Sequence, residues 1–240
     1  MRVDVVTLFP ELFQPFLALG MVGRAVTGGA LRVRLKSPRD FGLGRHKSVD
    51  DTPYGGGAGM VMRPDPLVAA IEAVVAARGP AHKILLTPTG APLTQATVLR
   101  LATLPRVMLV CGRYEGMDER VRRFCDEELS IGDYVLTGGE LAAMVVVDAV
   151  ARRLPGVLGN ADSPLDESFE AGLLEHPQYT RPATFRGASV PEALLSGNHE
   201  RIRRWRRLQS LLRTRDRRPD LFATLQLSDE DRALLDGEEP

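Results

Sequence analysis

The stretch ILLTPTGAPLTQATVLRLATLPRVMLVC, residues 84–111, contains the alternation that decides the fold. It starts with the apolar strand Ile84–Leu86, continues into a helix that opens at Thr94, and ends in the fully apolar strand Val107–Cys111. Apolar strands separated by a helix are typical of a mostly parallel sheet that helices cover. The stretch therefore predicts a β-α-β unit within an α/β domain.

The sequence on both sides continues this alternation. Hydrophobic periodicity predicts further strands at residues 3–8, 31–36 and 129–131. It predicts further helices near residues 11–19, 65–79, 118–124 and 141–153. The N-terminal part of the chain is therefore interpreted as an α/β domain with several parallel strands.

Composition changes at residues 155–168, PGVLGNADSPLDES, which are rich in Gly, Pro, Ser and Asp and show no periodicity. The pattern beyond them is helical, and Ser228 is placed to cap a last helix. We therefore predict a domain over residues 1–160, an interdomain linker over 161–175 and a small all-α domain over 176–240.

The overall composition excludes several classes of protein. The 240 residues include 31 Lys+Arg and 31 Asp+Glu, and 44% are hydrophobic. This balance excludes a disordered tail protein and a uniformly basic nucleic-acid coat protein. No stretch approaches the ~18 uninterrupted apolar residues of a membrane span, and the N-terminus lacks a signal-peptide pattern. We expect a soluble cytoplasmic protein without a membrane partner.

Charge is segregated in the C-terminal part of the chain. Residues 201–218 contain nine Arg and one acid, whereas residues 219–240 contain seven acids and one Arg. The arginines lie beside a predicted apolar helix stripe, Ile202, Trp205, Leu208 and Leu212. Such a face is either ordinarily solvated or binds phosphate groups. Because these arginines repel each other without a counter-anion, we favour contact with a nucleic-acid backbone.

Glycine-rich segments supply the candidate binding loops. Residues 54–60, YGGGAGM, lack the spacing of a dinucleotide loop or a P-loop and are interpreted as a flexible turn. Three other segments lie at predicted strand ends, and these are 85–90 (LLTPTG), 111–116 (CGRYEG) and 131–140 (IGDYVLTGGE). Ligands of α/β sheets bind at the carboxyl ends of the strands. The three segments therefore either enclose a nucleoside-like ligand or form tight structural turns.

Candidate acid–base groups are carboxylates in loops. Glu115 lies in one glycine loop, and the linker contains Asp162, Asp166, Glu167 and Glu170, although linker acids are usually only solvated. Two cysteines are too few for a disulfide scaffold and lack zinc-site spacing. The histidines show neither metal-ligand nor triad spacing, and they are His46, His82, His176 and His199. No metal site is predicted.

A series of motifs extends over nearly the whole chain in a fixed order. It comprises TLFPE (7–11), SPRD (37–40), VDD (49–51), PYGGG (53–57), CGRYEG (111–116), IGDYVLTGGE (131–140), PGVLG (155–159), HPQYTRP (176–182) and LLSGNH (194–199). With these motifs the chain resembles the bacterial tRNA (guanine-N1)-methyltransferases of the TrmD type. That family belongs to the SPOUT, or trefoil-knot, class.

The resemblance implies a fold, an activity and partners. The fold would be a SPOUT α/β trefoil-knot domain with a parallel sheet, an exception to the rule against threaded chains, followed by a small C-terminal all-α domain. The activity would be methyl transfer from S-adenosylmethionine to N1 of guanosine 37, 3′ of the tRNA anticodon. The partners would be the tRNA anticodon stem-loop and a second copy of the chain, with active sites at the homodimer interface. Magnesium is compatible with this reaction, but no motif assigns it a site.

The resemblance also assigns residues to the cofactor. They would be Leu85, Leu86, Gly112, Tyr114, Glu115, Ile131, Gly132, Asp133, Tyr134, Val135, Leu136, Gly138 and Gly139. They lie in the loops for which a nucleoside-like ligand is one of the two interpretations of the residues alone. Apolar side chains can pack on the faces of a ring, and backbone groups can read its edge.

Catalytic roles follow from the chemistry of guanine. N1 carries a proton at neutral pH, so its methylation needs a base, and a cation stabilises the charge that develops on the ring. By resemblance the cation is Arg152. The family usually has Asp-Ser-Phe where this chain has Asp166-Glu167-Ser168-Phe169. Glu167 takes the aligned place with one extra methylene, and Asp166 beside it is the competing candidate.

Two other functional classes are weighed against this one. The first is a non-catalytic RNA-binding regulator that retains a cofactor pocket, which would bind tRNA without methyl incorporation. The second is a knotted methyltransferase that acts on rRNA or on a ribose 2′-OH, which would leave the methyl group on a different atom.

Overall fold

The computed structural model describes residues 1–158, 167–169 and 172–237. The chain divides into two units, Met1–Ala161 and Asp162–Pro240. The strands of the described residues are β1 (Arg2–Val6), β2 (Arg32–Lys36), β3 (Asp50–Asp51), β4 (Val61–Met62), β5 (His82–Pro92), β6 (Arg106–Cys111), β7 (Glu127–Ser130), β8 (Thr184–Phe185) and β9 (Ala188–Ser189). The α-helices are α1 (Phe13–Ala18), α2 (Gly20–Thr27), α3 (Pro64–Arg78), α4 (Gln95–Ala102), α5 (Glu140–Ala151), α6 (Glu192–Leu195), α7 (His199–Arg217), α8 (Pro219–Phe222) and α9 (Asp229–Gly237).

Five strands of the first unit form one parallel sheet in the order β2-β1-β6-β5-β7. Strand β6 lies between β1 and β5 although it follows both in the sequence. The connections therefore cross over the sheet, as parallel strands require. A parallel sheet with helices confirms the predicted α/β class.

The sheet separates two apolar cores. On one face α1, α2, α4 and α5 pack against the sheet and bury residues such as Phe13 and Leu101. On the other face α3 packs against it through Leu67 and Ile71. Successive strand residues point to opposite faces, so Val5 lies in the first core and Val6 in the second. Burial on both faces explains why the strands of residues 84–111 are so apolar.

Local sequence signals determine where α4 begins and where α3 ends. The Thr94 hydroxyl accepts a hydrogen bond from the Thr97 amide at 3.2 Å, which caps α4 where the sequence predicted its start. Helix α3 ends at Arg78 and is followed by Gly79, which has a φ of 86° that a side chain would disfavour. Both helices therefore begin or end where the sequence indicated.

Three predicted helices differ in detail. The segment near residues 11–19 is a 3₁₀ turn, Pro10–Leu12, followed by α1. The segment near 118–124 is entirely 3₁₀ helix, Glu119–Phe124, because Cys125 returns to an extended conformation after one short run. Helix α5 ends at Ala151, so the extension to residue 153 was wrong.

The second unit is mainly helical, and it also contains the short hairpin β8–β9. The hairpin turns at Arg186 and Gly187, whose positive φ values of 51° and 85° suit a two-residue turn. In α7 the buried apolar side chains are Trp205, Leu208 and Leu211, so Leu212 was the wrong end of the stripe. Leu212 lies on the same side of the helix as Trp205 and Leu208, but its side chain is only half-buried.

The last helix has the predicted cap. The Ser228 hydroxyl accepts from the Asp231 amide and the Asp231 carboxylate accepts from the Ser228 amide, both at 3.1 Å. No helix in the described ranges is long and apolar enough to cross a membrane.

Candidate active site

A cavity of about 260 Å³ lies where β5, β6 and β7 end. Its walls come from the loop after the buried part of β5, the loop after β6 and the loop that leads from β7 to α5. These are the three glycine-rich segments that the sequence singled out. Segments that lie far apart in the sequence thus build this pocket at the carboxyl edge of the sheet.

Glycines let these loops approach each other. A Cβ on Gly139 would lie 2.8 Å from the Cys111 Cα, and a Cβ on Gly138 would lie 2.3 Å from the Arg113 Nε. The Gly139 amide also donates to the Gly112 carbonyl at 2.8 Å. Side chains at these positions would push the two loops apart, which explains the glycine pair before α5.

A buried carboxylate fixes the loops on the core side. Glu140 is the first residue of α5 and is 1% exposed. It accepts from the Thr7 hydroxyl at 2.8 Å and from the Arg113 Nε at 2.9 Å. Arg113 also donates to the Thr137 carbonyl at 3.3 Å and stacks on Phe9. We call Thr7, Arg113 and Glu140 the carboxylate clamp, because they connect the ends of β1 and β6 to the start of α5.

The pocket lining combines apolar side chains with backbone groups. Leu85 and Leu86 are buried at its base, whereas Tyr134, Val135 and Leu136 stand at its exposed side. Tyr114 has a φ of 62°, a left-handed conformation that is strained for a bulky residue and is typical of functional loops. A lining of this kind suits a flat heterocycle with a polar edge.

The predicted cofactor residues come together with one exception. Asp133 is exposed and is not among the residues that line the cavity; the other twelve are. Thr87, Pro88, Thr89 and Arg113 also line the cavity and lie within the selected segments 85–90 and 111–116, whereas the lining residues Met117, Arg122 and Ala142 lie outside the selected segments. The clamp was also missed, although a glutamate directly after two glycines at a helix start is a usable signal.

The segment 54–60 lies next to this pocket. It connects β3 to β4, and the Met60 carbonyl accepts from the Glu115 amide at 3.0 Å. A Cβ on Gly59 would meet the Glu115 side chain at 2.5 Å. The segment is therefore a connecting turn, and it also supports one wall of the pocket.

The cysteines are unsuited to nucleophilic chemistry. Burial raises the pKa of the Cys111 thiol well above its ordinary value. Burial also raises the pKa of Cys125 to about 11. Both thiols are therefore protonated at neutral pH, and a thiol is a far weaker nucleophile than a thiolate. Within the described ranges no group of three or more His, Cys, Asp or Glu residues could hold a metal ion.

The predicted catalytic residues belong to different units. Arg152 caps the C-terminal end of α5, where its amide donates to the Asp148 carbonyl at 3.2 Å. Glu167 is half-buried in the second unit, on a cavity that His176 and His199 also line. Asp166, like Asp162 and Glu170, lies outside the described residues.

The arginine segment is partly neutralised within the second unit. Arg207 binds Asp231 through two hydrogen bonds of 2.7 and 2.9 Å, and Arg203 pairs with Glu200 and Glu230. The hydrogen bond from Arg207 lowers the pKa of Asp231 to about 2. The expectation that these arginines lack internal counter-charge was therefore wrong for this part of α7.

Other arginines of α7 stay exposed. In the part of the chain that the structure describes, four side chains form no direct hydrogen bond or ion pair, and they are those of Arg201, Arg204, Arg206 and Arg217. These guanidinium groups are accessible to an external anion.

Known proteins resemble this chain over almost its full length. Residues 1–224 match the family described as tRNA (Guanine-1)-methyltransferase TrmD. A tRNA (guanine-N(1)-)-methyltransferase of Sorangium cellulosum is 59% identical, over 92% of this chain and 93% of that protein. Proteins of the same name from Myxococcus xanthus and from Anaeromyxobacter sp. (strain K) are each 56% identical. They cover 97% and 99% of this chain and 95% and 97% of their own length.

Proposed function

Because the chain belongs to the tRNA (Guanine-1)-methyltransferase TrmD family, we propose that it methylates N1 of guanosine 37 in tRNA, with S-adenosylmethionine as the methyl donor. The observation that carries the proposal is the pocket at the carboxyl ends of β5, β6 and β7. A protein with this substrate would act in the cytoplasm, where tRNA is found.

The pocket fits the donor chemically. Leu86, Ile131 and Leu136 offer apolar contacts for an adenine ring, and the glycine loops bring backbone amides and carbonyls close enough to read its edge. The close approach of Gly138 to Arg113 and of Gly139 to Cys111 holds the two loops together beside this pocket. When bound, S-adenosylmethionine supplies an electrophilic methyl carbon on a sulfonium sulfur.

The chain's own residues would handle the proton and the charge. A carboxylate accepts the N1 proton of guanine, and this role falls to Glu167 or to its neighbour Asp166. As N1 loses its proton, negative charge spreads to O6, and the guanidinium of Arg152 stabilises it.

Binding of tRNA would use the exposed arginines of α7. Arg201, Arg204 and Arg206 lie in the first half of this helix, where they are free to contact backbone phosphates. Phosphate contacts give affinity and position the RNA but do not select its sequence. Choice of the target would come from the fit of the anticodon loop and from extrusion of the reacting base.

A homodimer is proposed on the same family basis. An exposed apolar surface supports it, because Leu141 and Val145 lie one turn apart on α5 with 57% and 45% of each side chain exposed, and Leu19 is 71% exposed. Neighbouring exposed apolar side chains are typical of protein interfaces. Sedimentation of wild type and of Leu141→Glu would test this; monomers in both would contradict the proposal.

The reaction is tested with labelled S-adenosylmethionine and an unmodified tRNA transcript. Glu167→Gln should reduce kcat by roughly 10²- to 10⁴-fold and leave donor binding nearly unchanged. Glu192→Gln, an exposed glutamate of α6, is the matched control and should keep full activity.

Two outcomes would change the proposed base or the proposed function. If Glu167→Gln stays active and Asp166→Asn does not, the base is Asp166. If wild type binds tRNA but incorporates no methyl group under varied salt and magnesium, the chain is an RNA-binding regulator that retains a pocket.

A further inference from the structure

A second cavity of about 260 Å³ lies at the opposite edge of the sheet, where β1, β2 and β6 begin. Five arginines line it, and they are Arg2, Arg32, Arg34, Arg78 and Arg106. Asp4 is the single acidic residue of the lining. We call this the arginine cavity.

Sheet register brings these side chains together. Arg2 lies opposite Arg32 on one side and opposite Arg106 on the other. Strand alternation puts Arg2 and Asp4 on the face of Val6, which is the face that α3 covers. Helix α3 ends at Arg78 and contributes that arginine to the same cavity.

The charges of the cavity are unbalanced. Asp4 is 2% exposed and pairs with Arg78, while the Arg106 Nε lies 3.7 Å from its second oxygen. Arg106 also donates to the Gly79 carbonyl at 3.2 Å. The side chains of Arg2, Arg32 and Arg34 form no hydrogen bond or ion pair with any described residue, and all three are exposed.

In the other half of the same sheet edge, basic side chains are paired with acidic ones. Lys83 pairs with Asp126 at 3.2 Å, and Arg100 pairs with Glu127 at 2.7 Å. Like charges on directly opposite strand positions are destabilising. The arginine-rich composition of the chain therefore does not by itself account for two adjacent strands, β1 and β2, that begin with unmatched arginines, whereas an anionic ligand does.

We propose that the arginine cavity binds phosphate groups of the tRNA backbone, at a distance from the reacting base. Guanidinium groups bind phosphate oxygens in pairs, and the arginine cavity has no aromatic side chain in its lining on which a base could stack. A strand of five residues separates the two edges of the sheet by about 17 Å. A contact there would hold a different part of the RNA and would add affinity without sequence choice.

This inference rests on the proposed function in one respect only, which is that tRNA is the partner. Arg32→Gln/Arg34→Gln tests it, because both side chains are exposed and their removal leaves the Asp4 pairs intact. Its tRNA affinity at about 50 mM salt should fall roughly tenfold, and the slope of log K against log salt should decrease by about 2. The kcat at saturating tRNA should not change.

The control is Arg24→Gln, which removes an exposed arginine of α2 outside the cavity. It should leave affinity and slope close to wild type, and Arg34→Gln alone should reduce the slope by about 1. If the double variant keeps the affinity and slope of wild type, the inference is overturned.

A competition arm distinguishes RNA from small phosphates. Tripolyphosphate that stabilises wild type but not the double variant, together with unchanged tRNA affinity, would overturn the assignment to RNA. Binding needs no methyl transfer, so a wild type that binds tRNA through Arg32 and Arg34 but never methylates it would refute the proposed function alone.

Discussion

The two edges of the parallel sheet have cavities of equal volume, about 260 Å³, and opposite chemistry. At the carboxyl edge the lining consists of loops, with glycines, backbone groups and apolar side chains. At the amino edge it consists mainly of arginines that project from the strands themselves and from the end of α3. One sheet thus offers a site for a flat, partly apolar ligand and a site for a polyanion.

The two edges also differ in how they are held. The carboxyl edge depends on the carboxylate clamp, in which Glu140 has two partners from other elements. The amino edge depends on Asp4, which has more cationic neighbours than it can neutralise. A clamped loop can keep the shape of a pocket before a ligand binds, whereas an unbalanced cluster gains stability when an anion arrives.

Breaking the clamp should have the largest effect on stability. Glu140→Ala leaves Arg113 without its buried partner, so the free energy of unfolding should fall by about 4 kcal/mol. Urea denaturation measures the change, and Glu72→Ala, at an exposed position of α3, should change it little. An equally small loss in Glu140→Ala would show that the loops are held by other contacts.

Removing the Asp4 carboxylate at the amino edge should have the second-largest effect on the free energy of unfolding. Asp4→Asn leaves Arg78 and Arg106 without a counter-charge and should reduce the free energy of unfolding by about 3 kcal/mol. Thermal melts with and without tripolyphosphate should show a larger rescue for the variant than for wild type. If tripolyphosphate stabilises both proteins equally, the cavity does not bind anions.

A side chain at the contact between Gly139 and Cys111 should weaken both folding and ligand binding. Gly139→Ala places a Cβ 2.8 Å from the Cys111 backbone, at a cost of about 2 kcal/mol in stability and at least tenfold in affinity for S-adenosylmethionine. Calorimetric titration and a urea melt separate the two effects. Gly237→Ala, where a Cβ meets nothing within 4 Å, is the control and should match wild type in both.

Breaking the Arg207–Asp231 ion pair should have the smallest effect on the free energy of unfolding. This pair is the reference for a cluster whose charges are matched within the fold. The hydrogen bond from Arg207 lowers the pKa of Asp231 to about 2, below its ordinary value. A lowered folded-state pKa stabilises the fold above the unfolded pKa of about 3.9, and this contribution is lost as pH falls toward 2. Asp231→Asn should therefore reduce the free energy of unfolding by roughly 1 kcal/mol at pH 7 and by nearly nothing at pH 2. Urea melts across pH test this; an equal loss at both pH values would contradict it, and Asp236→Asn is the control.

Local features of the fold could be predicted from the sequence. The strands of residues 84–111 and the cap at Thr94 depend on neighbouring residues, and both are present as predicted. The position of β6 between β1 and β5 could not be predicted, because it depends on pairing between strands far apart in the chain. The knot comes from family resemblance and stays a prediction.

The same distinction applies to the sites. The glycine loops were visible because each one is a short motif, whereas Thr7 and Glu140 lie 133 positions apart and meet only in the fold. The pairing of Arg207 with Asp231 was missed because α9 folds back on α7. The arginine cavity was missed because its residues come from three strands and one helix.

The identity of the methylated nucleoside tests directly whether this protein methylates N1 of guanosine 37. Wild-type protein, labelled S-adenosylmethionine and an unmodified tRNA transcript are incubated, and the product is digested and its nucleosides separated. We expect N1-methylguanosine at position 37 with the wild-type protein and almost none with Glu167→Gln. Label on a ribose, on another base or on no nucleoside at all would contradict it.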